Sequence, residues 1–360
     1  MSKKVLKLKS FWKNKKVFIT GHTGFKGSWL TIFLHLLGAK IYGYSLKRER
    51  LSLYNFAKID KIVTKSIIGD IRDYNKLKKS IKKCSPHFLI HMAAQPLVRY
   101  SYDFPKYTFQ ANTVGTLNVL NILSEIKFLK SAVIITTDKV YKNNNLKKFF
   151  KEDDELGGQD PYSSSKACAE LITQSYNDSI LTKLNISCAT VRAGNVIGGG
   201  DFALNRIIPD FFRALRNKKT LNLRYPNAIR PWQHVIEPLF GYILLLMMMS
   251  KNKKTINGSW NFGPKISNNV KVKKIVSILN TNFKNNIVVK EKFNKKNSYK
   301  ESSVLKLNSD KSKKTLKWKP SYNIKQTLNL ISEWQKIFIK DRKNILQITR
   351  KQIIDYINQF

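Results

Sequence analysis

The sequence predicts an α/β protein in which a doubly wound parallel sheet of the Rossmann type is joined to a smaller C-terminal substrate lobe. Two observations lead to this prediction. Short β-branched runs alternate with longer amphipathic stretches through the first two-thirds of the chain, as strands joined by crossover helices do. The first run leads into a glycine-punctuated turn and then an apolar helical pattern. A chain of 360 residues that is 42% hydrophobic is long enough for one large domain or two lobes.

Six runs are predicted to be strands, and helices are expected to occupy the intervals between them. The first helix is expected to begin near Ser28, because apolar residues recur at helical spacing after the glycine turn. Its apolar face consists of Ile32, Phe33, Leu36 and Leu37. The predicted strands are 16–20, 40–44, 62–68, 88–92, 132–136 and 186–192.

The pattern loosens from about Gly198, where we expect the smaller lobe to cover the carboxyl ends of the strands. Helices are predicted at 207–216 and 324–339, and a buried helix at 239–249. The stretch 282–319 is rich in Lys and Asn and has few apolar residues, so it is predicted to form loops and short elements.

The formal net charge of +43 allows two interpretations. Basic chains can bind nucleic acid or anionic membranes through counterion release and electrostatic steering. Here the excess is mostly Lys and is spread from end to end, whereas nucleic-acid readers usually concentrate Arg and aromatic residues on one element. The sequence favours a basic solvated surface with no specific nucleic-acid partner. A noncatalytic polyanion-binding protein is the alternative from a different class.

Neither a metal site nor a disulfide framework is predicted. Cys84, Cys168 and Cys188 stand far apart without a Cys-x-x-Cys pair, and the five His residues show no ligand spacing. The first residues, Met-Ser-Lys-Lys, are followed by scattered apolar residues rather than the continuous run of a signal peptide. The stretch 239–249 is much shorter than the roughly 20 residues that cross a bilayer. We therefore expect a cytoplasmic protein without membrane insertion.

The glycine-rich turn at residues 21–27 is a candidate phosphate-binding element. Gly21 allows a tight turn, Gly24 lets backbone approach a pyrophosphate, and Gly27 permits close helix packing. The spacing is G-x-x-G-x-x-G rather than G-x-G-x-x-G. The flanking strand and helix favour a dinucleotide site over a loop that only turns the chain.

The segment after the second strand leaves both NAD and NADP open. Enzymes that use NAD usually have an acidic residue about 20 residues beyond the glycine turn. Enzymes that use NADP have basic residues there instead, which bind the 2′-phosphate. Residues 44–48 include Lys47 and Arg48 and contain no acid. Asp70, after the third strand, could serve the adenine edge or cap a helix, and the sequence does not choose between these roles.

Tyr162 and Lys166 form the candidate catalytic pair. An ammonium group one helical turn away can lower the pKa of the phenol, so that its oxygen removes a proton from an alcohol as hydride departs. Thr137 could hydrogen-bond the same oxygen. A buried anchoring ring is the alternative, but Asp160 and Pro161 begin a helix at a suitable place. Three other pairs share the spacing and are assigned to the surface: Tyr54/Lys58, Tyr74/Lys78 and Tyr102/Lys106.

Asp138 and Lys139 directly follow Thr137, at the end of the fifth predicted strand. Asp138 is a candidate general acid, and Lys139 is a candidate base if burial or neighbouring positive charge depresses its pKa. The alternative is ordinary surface charge at a strand end.

These blocks together resemble the extended short-chain dehydrogenase/reductase superfamily and, more closely, its nucleotide-sugar 4,6-dehydratases, over nearly the whole chain. The glycine and Tyr/Lys elements are shared across the superfamily, whereas the remaining blocks are more selective. The matching blocks are GHTGFKGSW at 21–29, HMAAQPLVR at 91–99, TDK at 137–139, DPYSSSK at 160–166, RAGNVIGGGD at 192–201 and RPWQH at 230–234.

The resemblance implies a bound NAD, with NADP not excluded, and CDP-glucose as the nucleotide-sugar substrate. Hydride is expected to leave C4, water to be lost across C5 and C6, and hydride to return to C6. The product would be CDP-4-dehydro-6-deoxyglucose, an early intermediate for deoxysugars of surface polysaccharides. By matching motif, Tyr162 is the C4-hydroxyl base, with Lys166 as its electrostatic partner and Thr137 as its hydrogen-bond partner. Asp138 matches the acid that protonates the departing C6 hydroxyl.

The resemblance also assigns binding residues and lobes. The substrate residues are Asn195, Arg206, Arg230 and Asn261. The cofactor residues are Gly21, Thr23, Gly24, Phe25, Gly27, Asp70, Ala93, Ala94, Asn112, Tyr162 and Lys166. The NAD-binding domain is expected to comprise 12–198 plus 229–264, and the nucleotide-sugar lobe 199–228 plus 265–345.

Lys139 departs from the pattern of the related dTDP-glucose dehydratases, which carry Glu at this position. Lys139 could remove the C5 proton as a neutral amine, or it could stabilise an enolate while another group acts. We favour the first role. A nucleotide-sugar 4-epimerase, which shares the Tyr/Lys pair but eliminates no water, is the nearer alternative function. A homo-oligomer is expected, because members of the superfamily commonly pair through helices.

Overall fold

The computed structural model describes residues 3–144, 148–251, 256–284, 286–291 and 304–360. Seven of the described strands form one parallel sheet in the order β10-β6-β5-β4-β1-β2-β3. The strands are β1 (Lys16–Thr20), β2 (Lys40–Ser45), β3 (Lys65–Ile68), β4 (Phe88–His91), β5 (Ser131–Ile135), β6 (Ser187–Ala193), β7 (Asn195–Ile197), β8 (Leu221–Leu223), β9 (Ile229–His234), β10 (Gly258–Phe262), β11 (Asn269–Lys271) and β12 (Val289–Glu291).

Helices join these strands and cover both faces of the sheet. They are α1 (Lys3–Trp12), α2 (Phe25–Leu36), α3 (Leu53–Phe56), α4 (Tyr74–Cys84), α5 (Val98–Asp103), α6 (Pro105–Phe109), α7 (Gly115–Ser124), α8 (Pro161–Tyr176), α9 (Ile207–Arg216), α10 (Ile236–Met249), α11 (Val272–Asn282), α12 (Asp310–Leu316), α13 (Ile324–Lys340) and α14 (Ile345–Ile357). Short 3₁₀ and π segments lie between some of them, including a 3₁₀ turn at Asp138–Val140.

The predicted fold class is confirmed, and all six predicted strands are present in the large sheet. The third begins at Lys65 rather than residue 62, because the chain is still leaving a 3₁₀ turn at Ile59–Lys61. A seventh strand, β10, pairs in parallel with β6 and was not predicted. The first helix begins at Phe25, one residue after Gly24, and so starts closer to the glycine turn than expected.

Burial on both faces explains why the central strands β1, β4 and β5 are mostly apolar, whereas the edge strand β3 is largely exposed. Side chains alternate along β1, so that Val17 and Ile19 join one core while Phe18 joins the core on the opposite face. The first core lies between the sheet and α2, α10 and α14, and the second between the sheet, α4 and α7. The sheet is therefore covered on both faces. The predicted site residues lie in the loops that follow the carboxyl ends of its strands.

Two terminal helices were not predicted. In α1, Val5, Leu8 and Trp12 are buried, and the Trp12 ring lies 4.9 Å from that of Phe88. In α14, Tyr356 is buried against the same core. Polar residues interrupt the apolar spacing of both segments, lysine in α1 and mainly glutamine, arginine and lysine in α14, so the sequence pattern alone did not identify these helices.

A third core packs short strands of two smaller sheets against α9, α11 and α13. Strand β9 pairs with β7 and β11, and β8 pairs with β12. The helices predicted at 207–216, 239–249 and 324–339 are confirmed as α9, α10 and α13. Residues of 282–319 that are described include only short elements, whereas 285 and 292–303 lie outside the described residues. No helix in the described ranges is long and apolar enough to span a membrane.

A buried ion pair ties three strands to α8. The Glu170 carboxylate receives Nε and Nη2 of Arg192, each at 2.9 Å, and both side chains are almost completely buried. Hydroxyl groups from β6, β10 and the loop after β5 also donate to it, from Thr190, Ser259 and Thr136 respectively. Because Glu170 lies one turn after Lys166, this cluster fixes the helix that carries the candidate catalytic pair.

Candidate active site

The start of α8 presents Tyr162 and Lys166 on one side of the helix. Asp160 caps the helix, accepting hydrogen bonds from the Ser163 amide at 2.9 Å and its hydroxyl at 2.5 Å, and Pro161 occupies the first turn. Residues four apart lie on the same helical face, so the phenol and the amine project together. Both are buried, at 8% and 5% exposure.

The other Tyr-x-x-x-Lys pairs differ in their surroundings. Tyr74 and Lys78 lie on the outer surface of α4, where both contact Glu125. Tyr54 is buried, but its partner Lys58 is exposed. At Tyr162, by contrast, both members are buried together beside the carboxyl edge of the sheet. Tertiary structure therefore distinguishes the candidate pair that spacing alone did not.

Lys166 is held at the end of β5, where its Nζ donates to the carbonyl oxygen of Ile135 at 2.9 Å. Burial lowers the pKa of Lys166 to about 8, and the negative charge of Glu170 acts in the opposite direction. Burial raises the pKa of Tyr162 to about 12, whereas its hydrogen bond with Thr137 and the charge of Arg206 lower it. Without ligand, the phenol therefore keeps its proton at neutral pH.

Asp138 is the first residue of the 3₁₀ turn that follows β5. Its Oδ1 accepts the Thr137 hydroxyl at 3.1 Å, and that hydroxyl oxygen also accepts the Lys139 amide at 3.3 Å. Asp138 is 3% exposed, and its Oδ2 has no hydrogen-bond partner among the described residues. Burial raises the pKa of Asp138 to about 6, although Lys139 and Thr137 lower it. The carboxyl group is thus able to donate a proton close to neutral pH.

The glycine turn has the shape expected of a phosphate cradle. Gly21 has φ +75°, and a Cβ there would lie 2.7 Å from the Ala93 amide nitrogen. A Cβ on Gly27 would lie 2.2 Å from the Gly21 oxygen, so only glycine allows α2 to pack this closely. At Gly24, a Cβ would meet only the Gly21 oxygen at 3.4 Å, and the residue is exposed at the N-cap of α2. This open backbone at a helix N-terminus fits a pyrophosphate.

The loops after β2 and β3 provide the remaining predicted cofactor positions. Thr23 and Ser45 share a hydrogen bond of 2.7 Å between their hydroxyl groups, at the point where an acid would be expected. The Asp70 carboxylate contacts the Arg72 guanidinium at 2.7 Å, and this contact holds the pKa of Asp70 below its usual range. The cap of α4 is Asp73 rather than Asp70. Of the two roles considered for Asp70, helix capping is therefore wrong, and a role at the adenine edge stays a prediction.

The side chain of Asn112 holds the loop after β4 in place through hydrogen bonds to its backbone. Its Oδ1 accepts the Gln95 amide at 2.8 Å, while its Nδ2 donates to the Gln95 oxygen at 3.1 Å and to Ser165 Oγ at 2.9 Å. The Ala93 amide donates to Thr20 Oγ1 at 3.1 Å. Ala93 and Ala94 thus follow β4 beside the glycine turn, and Asn112 connects their loop to α8. Phe25, the first residue of α2, is half-buried near Gly198.

The four predicted substrate residues lie on four different elements of the chain after β6. Arg206 is partly exposed and pairs with Asp201 at 3.1 Å. Arg230, in β9, is buried and close enough to Asp138 to lower its pKa. Asn195 begins β7 and is partly exposed. Asn261 is fully buried: its Oδ1 accepts Tyr141 Oη at 2.7 Å and its Nδ2 donates to the Phe150 oxygen at 3.0 Å.

Sequence reasoning missed two groups of this site. Lys26, inside the glycine turn, is close enough to Lys166, Arg206 and Asp138 to be affected by their charges. The Glu170–Arg192 ion pair was also missed, although Arg192 opens one of the blocks that carried the resemblance. A lysine between two glycines of a phosphate turn was a visible signal. The partner of Arg192 was not, because 22 residues separate it from Glu170.

The sheet, the glycine turn and the buried Tyr/Lys pair define a protein of the short-chain dehydrogenase/reductase type. The model of the GDP-mannose 4,6 dehydratase family matches residues 18–331, and the chain belongs to this family. It is 39% identical over 356 residues to CDP-glucose 4,6-dehydratase of Salmonella typhimurium, covering 97% of this chain and 98% of that protein. Identity to dTDP-D-glucose 4,6-dehydratase of Dictyostelium discoideum is 28%, with 73% and 62% covered.

Solved structures show the same fold. Epimerase Mth375 from Methanothermobacter thermautotrophicus has a TM-score of 0.80 at 21% identity, with 95% of this chain and 98% of that chain covered. The dTDP-glucose 4,6-dehydratase of Bacillus anthracis, in complex with NAD, has a TM-score of 0.73 at 23% identity, with 92% and 99% covered. The predicted fold and the resemblance to nucleotide-sugar dehydratases are confirmed.

The raised pKa of Asp138 predicts a stability cost in the protein without ligand. Folding favours the protonated carboxyl, so the stabilisation is present at low pH and is lost as pH rises from the unfolded pKa of 3.8 to the folded pKa of about 6. Asp138→Asn should remove this loss. Its free energy of unfolding, relative to wild type, should rise by about 2 kcal/mol between pH 4 and pH 7, measured by urea denaturation.

A control of opposite sign is available at Asp154. Burial raises the pKa of Asp154, but hydrogen bonds from Lys148 and the Lys151 amide lower it overall. Asp154→Asn should therefore lose more stability at pH 7 than at pH 4. If the difference between Asp138→Asn and wild type does not change with pH, the assignment of a buried, destabilised carboxylate at residue 138 is wrong.

Proposed function

We propose that this protein is an NAD-dependent CDP-glucose 4,6-dehydratase that converts CDP-glucose to CDP-4-dehydro-6-deoxyglucose. The observation that carries the proposal is the burial of Tyr162, Thr137 and Asp138 at the carboxyl edge of the sheet, where the Thr137 hydroxyl donates to the Asp138 carboxylate. This group combines a base for an alcohol with an acid of raised pKa. The choice of CDP-glucose is supported by the 39% identical relative of that name.

The dinucleotide site is supported by the open backbone at Gly24 and by the N-terminus of α2. NAD rather than NADP is supported by solved structures of the same fold, including a dehydratase in complex with NAD. Bound NAD supplies a hydride acceptor that ends the reaction unchanged. The side chains of Tyr162 and Lys166 would hold its reactive half against the substrate, while Gly21, Gly24 and Gly27 would hold its pyrophosphate.

Oxidation at C4 requires removal of the hydroxyl proton, and we assign Tyr162 to accept it. Its pKa of about 12 in the absence of ligand must fall for this role. The Thr137 hydrogen bond and the charge of Arg206 both favour the phenolate, and a Lys166 ammonium beside the phenol would favour it further. Lys166 Nζ donates to the Ile135 carbonyl oxygen, which holds the amine at the end of β5 and out of solvent. The pair therefore acts as one base.

Elimination requires an acid at the C6 hydroxyl and a base at C5. Asp138, with a pKa of about 6, retains a proton in part at neutral pH and can donate it to the departing hydroxyl. Lys139 is the second residue of the same turn and is half-buried. We assign Lys139 to removal of the C5 proton, which the C4 ketone makes more acidic. A 4-epimerase would need neither group.

The nucleotide half of the substrate would lie toward the smaller lobe, comprising 199–228 plus 265–345. Arg206 and Arg230 would meet its diphosphate, for which guanidinium geometry is suited. Asn195 would lie at the sugar, and Asn261 would support the pocket through its contact with Tyr141. The protein would act in the cytoplasm and supply an intermediate for deoxysugars.

The activity test uses purified protein, NAD and CDP-glucose, followed by NMR. The expected product shows a C6 methyl group and a C4 ketone. Tyr162→Phe should slow its formation by about 10²-fold to 10⁴-fold, because the alcohol loses its base. Tyr74→Phe is the matched control, since it alters a surface pair of the same spacing and should leave the rate unchanged. Unchanged substrate would contradict the proposal, and a C4 epimer that retains the C6 hydroxyl would favour the epimerase.

Asp138→Asn tests the division of labour within the site. The variant should still oxidise C4 but should eliminate water at least about 10²-fold more slowly, so that the reduced dinucleotide accumulates and is seen by its absorbance. Lys139→Met should show the same accumulation if Lys139 removes the C5 proton. Lys142→Met, which alters an exposed lysine nearby, is the control. Equal small effects on both steps would remove Asp138 from its assigned role.

We also propose that the protein is a homo-oligomer that pairs through α7 and α8. These helices contact each other, and they expose Leu117 on α7 and Leu171 on α8, with Val114 exposed just before α7 and Cys168 partly exposed on α8. Leu171→Glu should reduce the mass measured by light scattering to that of one chain. Ile354→Glu, which alters another exposed apolar residue on α14, should leave the mass unchanged. An unchanged mass in Leu171→Glu, or a single-chain mass in wild type, would contradict this pairing.

A further inference from the structure

The amino edge of the seven-stranded sheet, which lies opposite the edge that carries the candidate active site, is densely basic. All seven strands are parallel, so the segments that enter them meet at this one edge. Each strand either begins with an exposed lysine or has one in the helix end or loop that leads into it. These seven edge lysines are Lys13, Lys40, Lys65, Lys83, Lys130, Lys183 and Lys251.

Backbone pairing places basic residues side by side along this edge. Lys16 at the start of β1 pairs with Lys40 at the start of β2. On the other side of β1, the His87 amide donates to the Lys16 carbonyl oxygen at 2.9 Å, and the Lys130 amide donates to the His87 carbonyl oxygen at 2.9 Å. Adjacent strands are about 4.8 Å apart. Basic residues therefore follow one another at this spacing across four neighbouring strands.

Little negative charge balances these lysines. In the loops and short turns that lead into the seven strands, the acidic residues are Asp60 and Glu125, and the Glu125 carboxylate already contacts Lys78. Among the described residues, none of the edge lysines has a carboxylate partner. Elsewhere on the described surface, carboxylates pair with several lysines, namely Lys142, Lys148, Lys313 and Lys351. The amino edge is thus a concentrated positive surface without internal neutralisation.

Two exposed apolar side chains lie among these lysines. Phe128 is 37% exposed two residues before Lys130, and Leu184 is 45% exposed directly after Lys183. The strands that they precede, β5 and β6, are neighbours in the sheet. The loops that lead into the seven strands contain no arginine, whereas nucleic-acid readers concentrate Arg on one element. Lysine combined with exposed apolar side chains is instead typical of surfaces that lie on anionic membranes.

We propose that the amino edge of the sheet, formed by the seven edge lysines with Phe128 and Leu184, docks on the surface of a membrane that contains anionic lipids. Each lysine near such a surface adds to the attraction, and four to eight lysines form a typical lipid-binding cluster. Seven adjacent strands extend over about 29 Å, so several ammonium groups can meet lipid headgroups together. The candidate active site lies at the opposite edge and would stay open to its ligands.

The first test measures binding of the purified protein to vesicles by cosedimentation. Vesicles of equal parts phosphatidylglycerol and phosphatidylcholine should bind the protein in about 0.1 M salt, whereas vesicles of phosphatidylcholine alone should not. Raising the salt to about 1 M shortens the Debye length from about 10 Å to about 3 Å and should release the protein. Binding to both kinds of vesicle alike would contradict an electrostatic contact.

Charge reversal locates the surface that binds. A single variant with Lys13→Glu, Lys40→Glu, Lys83→Glu and Lys130→Glu should bind the anionic vesicles at least about 10²-fold more weakly than wild type. The control variant reverses four exposed lysines away from this edge and has the same net charge. It should bind within about threefold of wild type, because attraction falls off within a Debye length of the lipid. The control positions are Lys219, Lys314, Lys319 and Lys340.

A milder variant keeps the test valid if charge reversal impairs folding. Glutamine at the same four edge positions removes positive charge without adding acids, and should weaken vesicle binding at least about tenfold. Circular dichroism should show the secondary structure of wild type in this variant. Because the edge lysines lie far from the Tyr162 and Lys166 pair, its rate of nucleotide-sugar turnover should also match that of wild type.

A fluorescent reporter identifies the docked face independently. All six tryptophans of the chain are buried, so an added exposed tryptophan reports its own contact with lipid. Phe128→Trp should be quenched by brominated lipids in anionic vesicles. Ile339→Trp, at an exposed site on α13, should not be quenched.

Equal binding by the edge variant and the control variant would overturn the proposal, as would the absence of quenching at residue 128. A single-stranded oligonucleotide that binds more tightly than the vesicles, through the same four lysines, would also overturn it and assign the edge to nucleic acid. Vesicle binding is measured without substrate or cofactor. Its failure would therefore leave the proposed dehydratase activity untouched, and absence of that activity would not affect the docking result.

Discussion

The buried carboxylate of Glu170 is the constraint on which the arrangement of the site depends. It receives the Arg192 guanidinium and three hydroxyl groups, and thereby joins α8 to β6, β10 and the loop after β5. Removing one member of such a pair would leave an uncompensated charge in the interior, which costs about 3–5 kcal/mol. The same helix carries Tyr162 and Lys166, so a displacement of Glu170 would move the catalytic pair relative to β5.

Burial sets the chemistry of the site as much as residue identity does. Removal from water lowers the pKa of Lys166 and Lys26 and raises that of Asp138 and Tyr162, so every one of these groups moves toward its neutral form. Two amines, a carboxyl and a phenol can therefore be packed together at a tolerable cost. Ligands that bring negative phosphates and polar hydroxyl groups would draw charge back into this cleft. In the protein without ligand, these four side chains are therefore not all ionised at neutral pH.

The sequence predicted the regular framework well, because apolar strands buried on both faces and helices with one apolar face leave a local pattern. The six predicted strands and helices α9 and α13 followed from that pattern. Helix α1 and strand β10 did not, since Lys dilutes the first and the second gains its strand character by pairing with β6. At the site, the turn containing Gly24 and the pair formed by Tyr162 were visible as short motifs. The structure places both at the carboxyl edge of the sheet.

The sequence by itself determined the fold class, the family and the residue types available for chemistry, because these depend on local periodicity and on short motifs. Only the tertiary structure decided which Tyr/Lys pair is buried, that Asp73 rather than Asp70 caps α4, and that Lys26 turns toward Tyr242. The physical reason is that burial and charge interactions arise between segments far apart in the chain. Lys26 and Tyr242 are 216 residues apart, and no local pattern encodes their contact.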